Sequence, residues 1–232
     1  MILLAFETST EACSVALWID GEVRERFDVV PRRHAELALP WAEQLLADAG
    51  IARSRLDAVA VGRGPGAFTG VRLGVALAQG IALALDVPVL PVSTLAALAA
   101  QATGDRVLAA IDARMGEVYV GAFARDGEAL RPLQDEAVGA PTTIAIPDGA
   151  RWHGLGTGFD ACDGALRTRL GDGIATLDAG ALPHAADVAR LAAPMLARGE
   201  GVAPERLEPA YLRNQVALTL AQQQAAAAQG KR

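Results

Sequence analysis

The sequence predicts an α/β fold of two lobes, each with the element order βββαβαβα and the second lobe degraded. Three observations carry this. Strand-length apolar runs alternate with helix-length segments along the first hundred residues. A two-residue Asp20-Gly21 turn joins two of the early strands as a hairpin. After a break at Thr103-Gly104-Asp105 the same element order begins again.

Residues 2–6 read as a buried strand, Ala12–Ile19 alternates as a second, and Glu22–Val29 is a third that Pro31 ends. Glu36–Ala49 is helical, with Leu37, Trp41 and Leu45 on one stripe and Leu39, Ala42 and Leu46 on another. Pro40 either lies inside this run or marks its first turn, and Gly50 closes it. Asp57–Val61 is the fourth strand, a glycine-rich turn follows, and a helix over 70–85 leads out. Val87–Pro91 is a short strand, and Ser93 caps a helix over Thr94–Gln101.

In the second lobe Val107–Ile111, Glu117–Ala124 and Glu128–Leu133 are strands, with Arg125-Asp126-Gly127 as a hairpin turn. Residues 135–150 are weak in pattern. A strand over 151–153, a helix over 159–170, a strand over 174–178 and a helix over 185–198 complete the copy. The expected division is 1–103 for the N-terminal lobe and 104–211 for the C-terminal lobe. Residues 212–232 then form a C-terminal helix or tail packing back on the first lobe, ending in a Gln- and Ala-rich run.

A chain of 232 residues, 52% apolar and 21% charged, can bury a substantial core. Its net charge of −6 and lack of a Lys/Arg cluster make it a poor holder of RNA or DNA on its own. Cys13 and Cys162 are too few and too far apart for a disulfide framework or a zinc pattern. The N-terminus has no basic region before its apolar run, and the longest apolar stretch is broken by Gln79 and too short for a bilayer. The expectation is a soluble, cytoplasmic protein.

The turn Gly62-Arg63-Gly64-Pro65-Gly66-Ala67-Phe68-Thr69-Gly70 sits between a strand and a helix, where backbone N–H groups can face an anion. It fits the known phosphate loops poorly. A Walker loop needs Lys and Ser or Thr after its last glycine, and here Val71-Arg72 follow. A dinucleotide loop needs G-x-G-x-x-G after the first strand, and Gly62-x-Gly64 is followed by Ala67. The favoured reading is a tight turn whose glycines let the helix pack close to the sheet.

Two lobes of this order are similar to the actin-like, sugar-kinase-like (ASKHA) superfamily, which clamps a nucleotide between its lobes. Four blocks are more specific: Phe6-Glu-Thr-Ser-Thr10; Gly64-Pro-Gly-Ala-Phe-Thr-Gly-Val-Arg-Leu-Gly74, running on through Ala78-Gln79-Gly80 and Val92-Ser-Thr-Leu95; Asp112-Ala-Arg-Met-Gly-Glu-Val-Tyr119; and Pro209-Ala-Tyr-Leu-Arg213. In these the chain resembles the bacterial TsaB/YeaZ family, the dimerisation subunit of the complex that installs threonylcarbamoyl on the tRNA adenosine next to the anticodon. The resemblance implies a TsaD heterodimer, a larger complex with the ATPase TsaE, a homodimer when alone, and tRNA contact only through the complex, with no membrane.

The same blocks look like a remote copy of TsaD, which carries an H-x-x-x-H metal pair. The matching positions here are Thr94 and Leu98, which cannot replace two imidazoles. His34, His153 and His184 are scattered and lack ligand spacing. No catalytic residue, metal or cofactor is therefore expected. Glu7, Thr8, Ser9 and Asp112 are read as a vestigial nucleotide cleft. Glu7 and Asp112 either hold Mg²⁺ through waters or, as favoured, survive as structural hydrogen-bonders. Gly154-Leu-Gly-Thr-Gly158 is either an adenosine-loop remnant or a glycine turn, and Ser9 has no base at a recognisable spacing.

Helix 70–85 has few polar side chains, and Gly70, Gly74, Ala78 and Ala82 form a small-residue stripe. The resemblance implies that helices 36–49 and 70–85 bind TsaD. Leu37, Trp41, Leu45, Gly70, Val71, Gly74, Ala78 and Ala82 are the expected interface. The alternative reading of the whole chain is an active ATPase or small-molecule kinase of the same fold; a peptidase has no residue support.

Overall fold

The computed structural model describes residues 1–127, 129–149 and 151–213. The first lobe begins with an antiparallel meander of β1 (Ile2–Glu7), β2 (Ala12–Ile19) and β3 (Glu22–Val29). Asp20 and Gly21, both at positive φ, make its first turn. β4 (Ala58–Gly62) and β5 (Val89–Val92) then add in parallel on the other side of β1, giving the order β3-β2-β1-β4-β5.

The second sheet repeats this plan. β6 (Arg106–Arg114), β7 (Glu117–Asp126) and β8 (Ala129–Pro132) are its meander, and β10 (Trp152–Leu155) and β11 (Ile174–Asp178) its parallel pair. Read from the meander end, its order β8-β7-β6-β10-β11 is again third, second, first, fourth, fifth strand. A short β9 (Ala137–Gly139) pairs with β7 in the region that showed no clear pattern. The degradation is visible in the helices: α1 (His34–Asp48) has no counterpart there among the described residues, and the 18-residue α2 (Phe68–Leu85) is matched by the 10-residue α4 (Ala161–Leu170). The start of α4 is broken by Cys162, Asp163 and Gly164 at positive φ. α1 begins before Pro40, so that proline lies inside the helix on an exposed position and not in its first turn.

Strand alternation gives the first sheet two apolar faces. Leu4, Phe6, Val15, Val59 and Val61 face α1 and α2. Leu3, Ala5, Ala16, Ala58 and Ala60 face the other way and need a second cover. That cover is α5 (Ala185–Ala197), whose Ala185, Val188, Ala189 and Ala192 are buried there. Conversely, Leu95, Leu98 and Ala99 of α3 (Thr94–Ala100) pack on Val107, Ala109 and Phe123 of the second sheet. The third helix of each repeat thus packs on the other repeat's sheet. α5, which the expected division assigns to residues 104–211, thus covers the second face of the first sheet, with Ala97 of α3 in the same cluster. The expected C-terminal helix lies outside the described residues from 214 onward.

Candidate functional site

At the end of β1, Glu7, Thr8, Ser9 and Thr10 are all buried, and the glycine turn wraps around them. A Cβ on Gly66 would lie 2.4 Å from the Ser9 carbonyl oxygen, and one on Gly70 would lie 2.0 Å from that of Thr8. Only glycine allows this approach. The turn's N–H groups are donated within the chain: Arg63 to the Val92 carbonyl at 2.8 Å, Gly64 to the Thr94 hydroxyl at 3.2 Å, Ala67 to the Ser9 carbonyl at 2.7 Å. The Thr8 hydroxyl donates to the Gly70 carbonyl at 2.8 Å. The turn is a packing device, and the amides that a phosphate would need at these three positions are already engaged.

Glu7 is fully buried. Its Oε1 accepts from the Ser9 N–H at 2.8 Å and from the Ser9 hydroxyl, and its Oε2 from the Thr94 hydroxyl at 3.0 Å. Burial pushes its carboxyl above the usual range, against those hydrogen bonds. Asp112, at the far end of β6, accepts from the Arg114 N–H at 2.8 Å and pairs with the Arg114 guanidinium at 3.0 Å. Each carboxylate has its own partners, and no hydrogen bond among the described residues joins the two. Thr94 donates to Glu7, and Leu98 is buried in the core with Val107 and Phe123, so both positions matching the histidine pair are filled by packing. Among the described residues no three His, Cys, Asp or Glu side chains gather as a metal site.

The remaining candidates have local roles. A Cβ on Gly156 would meet the Ala110 carbonyl oxygen at 2.3 Å, so the 154–158 turn is pressed against β6. Ser9's hydroxyl meets Glu7 and Thr94, with no imidazole in its reach. His34 Nε2 lies 3.0 Å from both the Thr10 and Ala12 carbonyls, so this nitrogen carries the proton and ties α1 to the β1–β2 turn. His153 bonds the Thr176 hydroxyl, and His184, which precedes α5, pairs with Glu25 and stacks on Phe27.

The expected partner stripe is turned inward. Val71, Gly74, Ala78 and Ala82 of α2 and Leu45 of α1 are buried in their own lobe, Gly70 is half-buried under Thr8, and Leu37 and Trp41 are half-buried beside them. The physical reason is that small side chains permit close approach to any neighbour, and the nearest is the chain's own sheet. The outward face carries Thr69, Arg72, Ala76, Gly80 and Leu83, with Leu73 and Leu77 at its edge. Leu83 is 60% exposed, Phe68 53% and, on α1, Leu39 42%. Nothing lies within 4 Å of where a Gly80 Cβ would stand. The interface expected from the sequence does not include these outward residues. The signal for them was Arg72, the only charged side chain on the helix, which marks the solvent side, with Ala76, Gly80 and Leu83 following at helical spacing. Among the described residues α2 is also the one helix long and apolar enough to cross a membrane, but its inner stripe is packed on β1 and β4.

The family model for TsaD, described as tRNA N6-adenosine threonylcarbamoyltransferase, matches residues 28–156, more than half of the chain. A tRNA threonylcarbamoyladenosine biosynthesis protein TsaB of Escherichia coli (strain K12) is 42% identical over 230 residues, covering 94% of this chain and 96% of the relative. TsaB of Haemophilus influenzae is 38% identical, covering 93% and 95%. Among solved structures, YeaZ from Pseudomonas aeruginosa matches with a TM-score of 0.85 and 48% identity over 91% of this chain and 99% of that one. Similarity of this extent in both sequence and fold means that the chain belongs to the TsaB/YeaZ family, within reach of the wider family described by the TsaD model.

Proposed function

We propose that this chain works in tRNA threonylcarbamoyladenosine biosynthesis as a non-catalytic subunit that binds TsaD and supports transfer of threonylcarbamoyl to the adenosine next to the anticodon. The observation that carries this reading is the outward face of α2, where Phe68, Ala76, Gly80 and Leu83 leave an apolar, closely approachable surface beside Leu39 of α1. A subunit contact of the stable kind buries roughly 2,000 Å² or more with an apolar centre. Two exposed helix faces side by side suit such a contact. The absence of catalysis is argued from the cleft: Glu7 is enclosed by Ser9 and Thr94, and the glycine turn is closed on Thr8 and Ser9. That enclosure also speaks against an ATPase or kinase, whose phosphates need those backbone donors. In this reading the same face pairs two copies when TsaD is absent, TsaE joins the larger assembly, tRNA is met only through the complex, and the setting is cytoplasmic.

The test is light scattering on a sizing column with this protein alone and with TsaD of the same organism. The expected result is a one-to-one heterodimer with TsaD, lost in Leu83→Arg and Ala76→Arg while their melting temperatures stay near wild type, since exposed substitutions usually cost within about 0.5 kcal/mol. No complex at micromolar concentrations removes the reading. A complex that persists in both variants removes this face from it.

A further inference from the structure

The block Pro209-Ala-Tyr-Leu-Arg213 belongs to neither sheet, and its contacts are unusual in joining two. After α5 the chain returns along the first lobe. Val202 pairs with Val89, with N–H to carbonyl bonds of 2.9 Å in both directions. Gln79 of α2 donates to the carbonyls of Pro204 at 3.0 Å and Leu207 at 3.2 Å, and Leu207 is buried in the first lobe's core. The Ala210 N–H then donates to the Arg63 carbonyl in the glycine turn at 2.8 Å. The Tyr211 hydroxyl accepts from Arg72 Nε at 2.7 Å, and the same guanidinium lies 3.6 Å over the Phe68 ring.

Two residues later the chain is bonded to the second lobe. Arg213 donates to the Ala113 carbonyl at 3.3 Å and pairs with the Glu117 carboxylate, and its guanidinium lies 3.5 Å from the Met115 sulfur. These three positions flank or form the β6–β7 turn. Arg114, Met115 and Gly116 are all at positive φ there, and Met115 is 86% exposed. A turn in that conformation with so little packing of its own opens readily unless something holds it. Arg213, 20% exposed, supplies a charge-assisted hold of the stronger sort.

We propose that residues 210–213 are an internal latch that fastens the C-terminal end of β4 to the C-terminal end of β6. It closes the side of the molecule where Glu7, the glycine turn and Asp112 lie. The lobes are joined separately through α3 and α5, which pack across them, so the latch sets how these strand ends stand to one another and not whether the lobes stay together. Release of Arg213 from Glu117 frees the β6–β7 turn and, three residues back at Ala210, loosens the cover over Arg63 and Gly64.

Hydrogen–deuterium exchange on the full-length protein, its Arg213→Ala variant and its Glu117→Gln variant tests this. Glu117→Gln keeps the side-chain size but removes the charge and replaces one acceptor oxygen with an NH2 donor, so it guards against a folding defect in the first variant. In both variants peptides covering 113–117 and 208–212 are expected to exchange roughly tenfold faster, the factor that losing one charge-assisted hydrogen bond gives. Peptides covering β1, β4 and the middle of β6 are expected to stay at wild-type rates. Unchanged exchange of 113–117 in both variants overturns the latch. So does faster exchange confined to 208–212, which makes the segment a loose end, or faster exchange of both sheets in both variants, which makes it part of the global fold.

Discussion

Glu7 and Glu25 are two carboxylates drawn into the same lobe, and they are held by different chemistry. Glu7 meets only neutral donors: the Ser9 N–H and hydroxyl and the Thr94 hydroxyl. Burial wins, and its carboxyl is pushed above the usual range. Glu25 is also pushed up by burial, but hydrogen bonds from His184, Ser14 and the Ala186 N–H outweigh that and hold it below the usual range. His184 is raised in turn, chiefly by its 2.9 Å bond to Glu25, against burial. A cationic partner decides the sign. Glu7 is therefore a plug that shapes the end of β1, while Glu25 is half of an ion pair that docks the start of α5 on the first sheet.

The largest expected effect comes from breaking the Glu7 side directly. A Cβ on Gly62 would fall 1.8 Å from Glu7 Oε2. Gly62→Ala therefore displaces the carboxylate or shifts β4, and it leaves the Ser9 and Thr94 donors unpaired in the interior. Overpacking costs about 1–3 kcal/mol and each orphaned buried donor about 1–3 kcal/mol. A loss of roughly 3 kcal/mol or more is expected, read as a fall of about 6–12 °C in Tm for a chain of this size. A variant melting within about 2 °C of wild type would mean that Glu7 leaves its place without cost, and the plug reading would fail.

The pH dependence sharpens the contrast, because the two glutamates should give opposite slopes. A carboxyl whose folded pKa is raised favours folding below its unfolded pKa, and that contribution is lost as pH rises through the folded value. For Glu7 the loss begins near the ordinary value of 4.5. Glu7→Gln removes it, so the stability of this variant relative to wild type should increase from pH 4.5 to pH 7. For Glu25 the folded pKa is lowered; its contribution is present above 4.5 and is lost as pH falls through the folded value. Glu25→Gln should therefore show its full deficit at pH 7 and a smaller one near pH 3.5. Denaturant titrations at three pH values measure both, and parallel slopes for the two variants would sink the distinction.

The contrast also indicates which features can be read from residues in order. The strand pairs of the first meander are legible because period-two alternation and an Asp-Gly turn are local signals, and the second copy is legible as a repeated element order. The mismatch of the glycine turn to phosphate loops is likewise a local signal, and in the structure its glycines press on Thr8 and Ser9. The partners of the buried carboxylates are not local. Thr94 is 87 residues from Glu7, and His184 is 159 residues from Glu25. The outward phase of α2 is not legible for a related reason: a helix that is apolar all round carries little periodic signal, and its small stripe suits a sheet as well as a partner. The exchange of α3 and α5 between sheets depends on which apolar face lacks a cover, and that emerges only once both sheets exist.

The smallest effect probes the cation that makes the two sites differ. His184 and Glu25 side chains are 31% and 20% exposed, so water screens their pairing in part. His184→Gln keeps a hydrogen-bond donor for Glu25 but loses the charge and the stacking on Phe27, whose ring lies 4.0 Å away. A raised histidine contributes stability that is full below its ordinary pKa of 6.5 and is lost as pH rises through its folded value. The lowered glutamate contributes above 4.5. Both members are then charged and fully contributing between about pH 4.5 and 6.5. The deficit of His184→Gln, about 1 kcal/mol in that window, should shrink towards the stacking contribution alone by pH 9. A deficit that stays constant from pH 5 to 9 would assign His184 to packing, and Glu25 would then owe its lowered pKa to Ser14 and the Ala186 N–H.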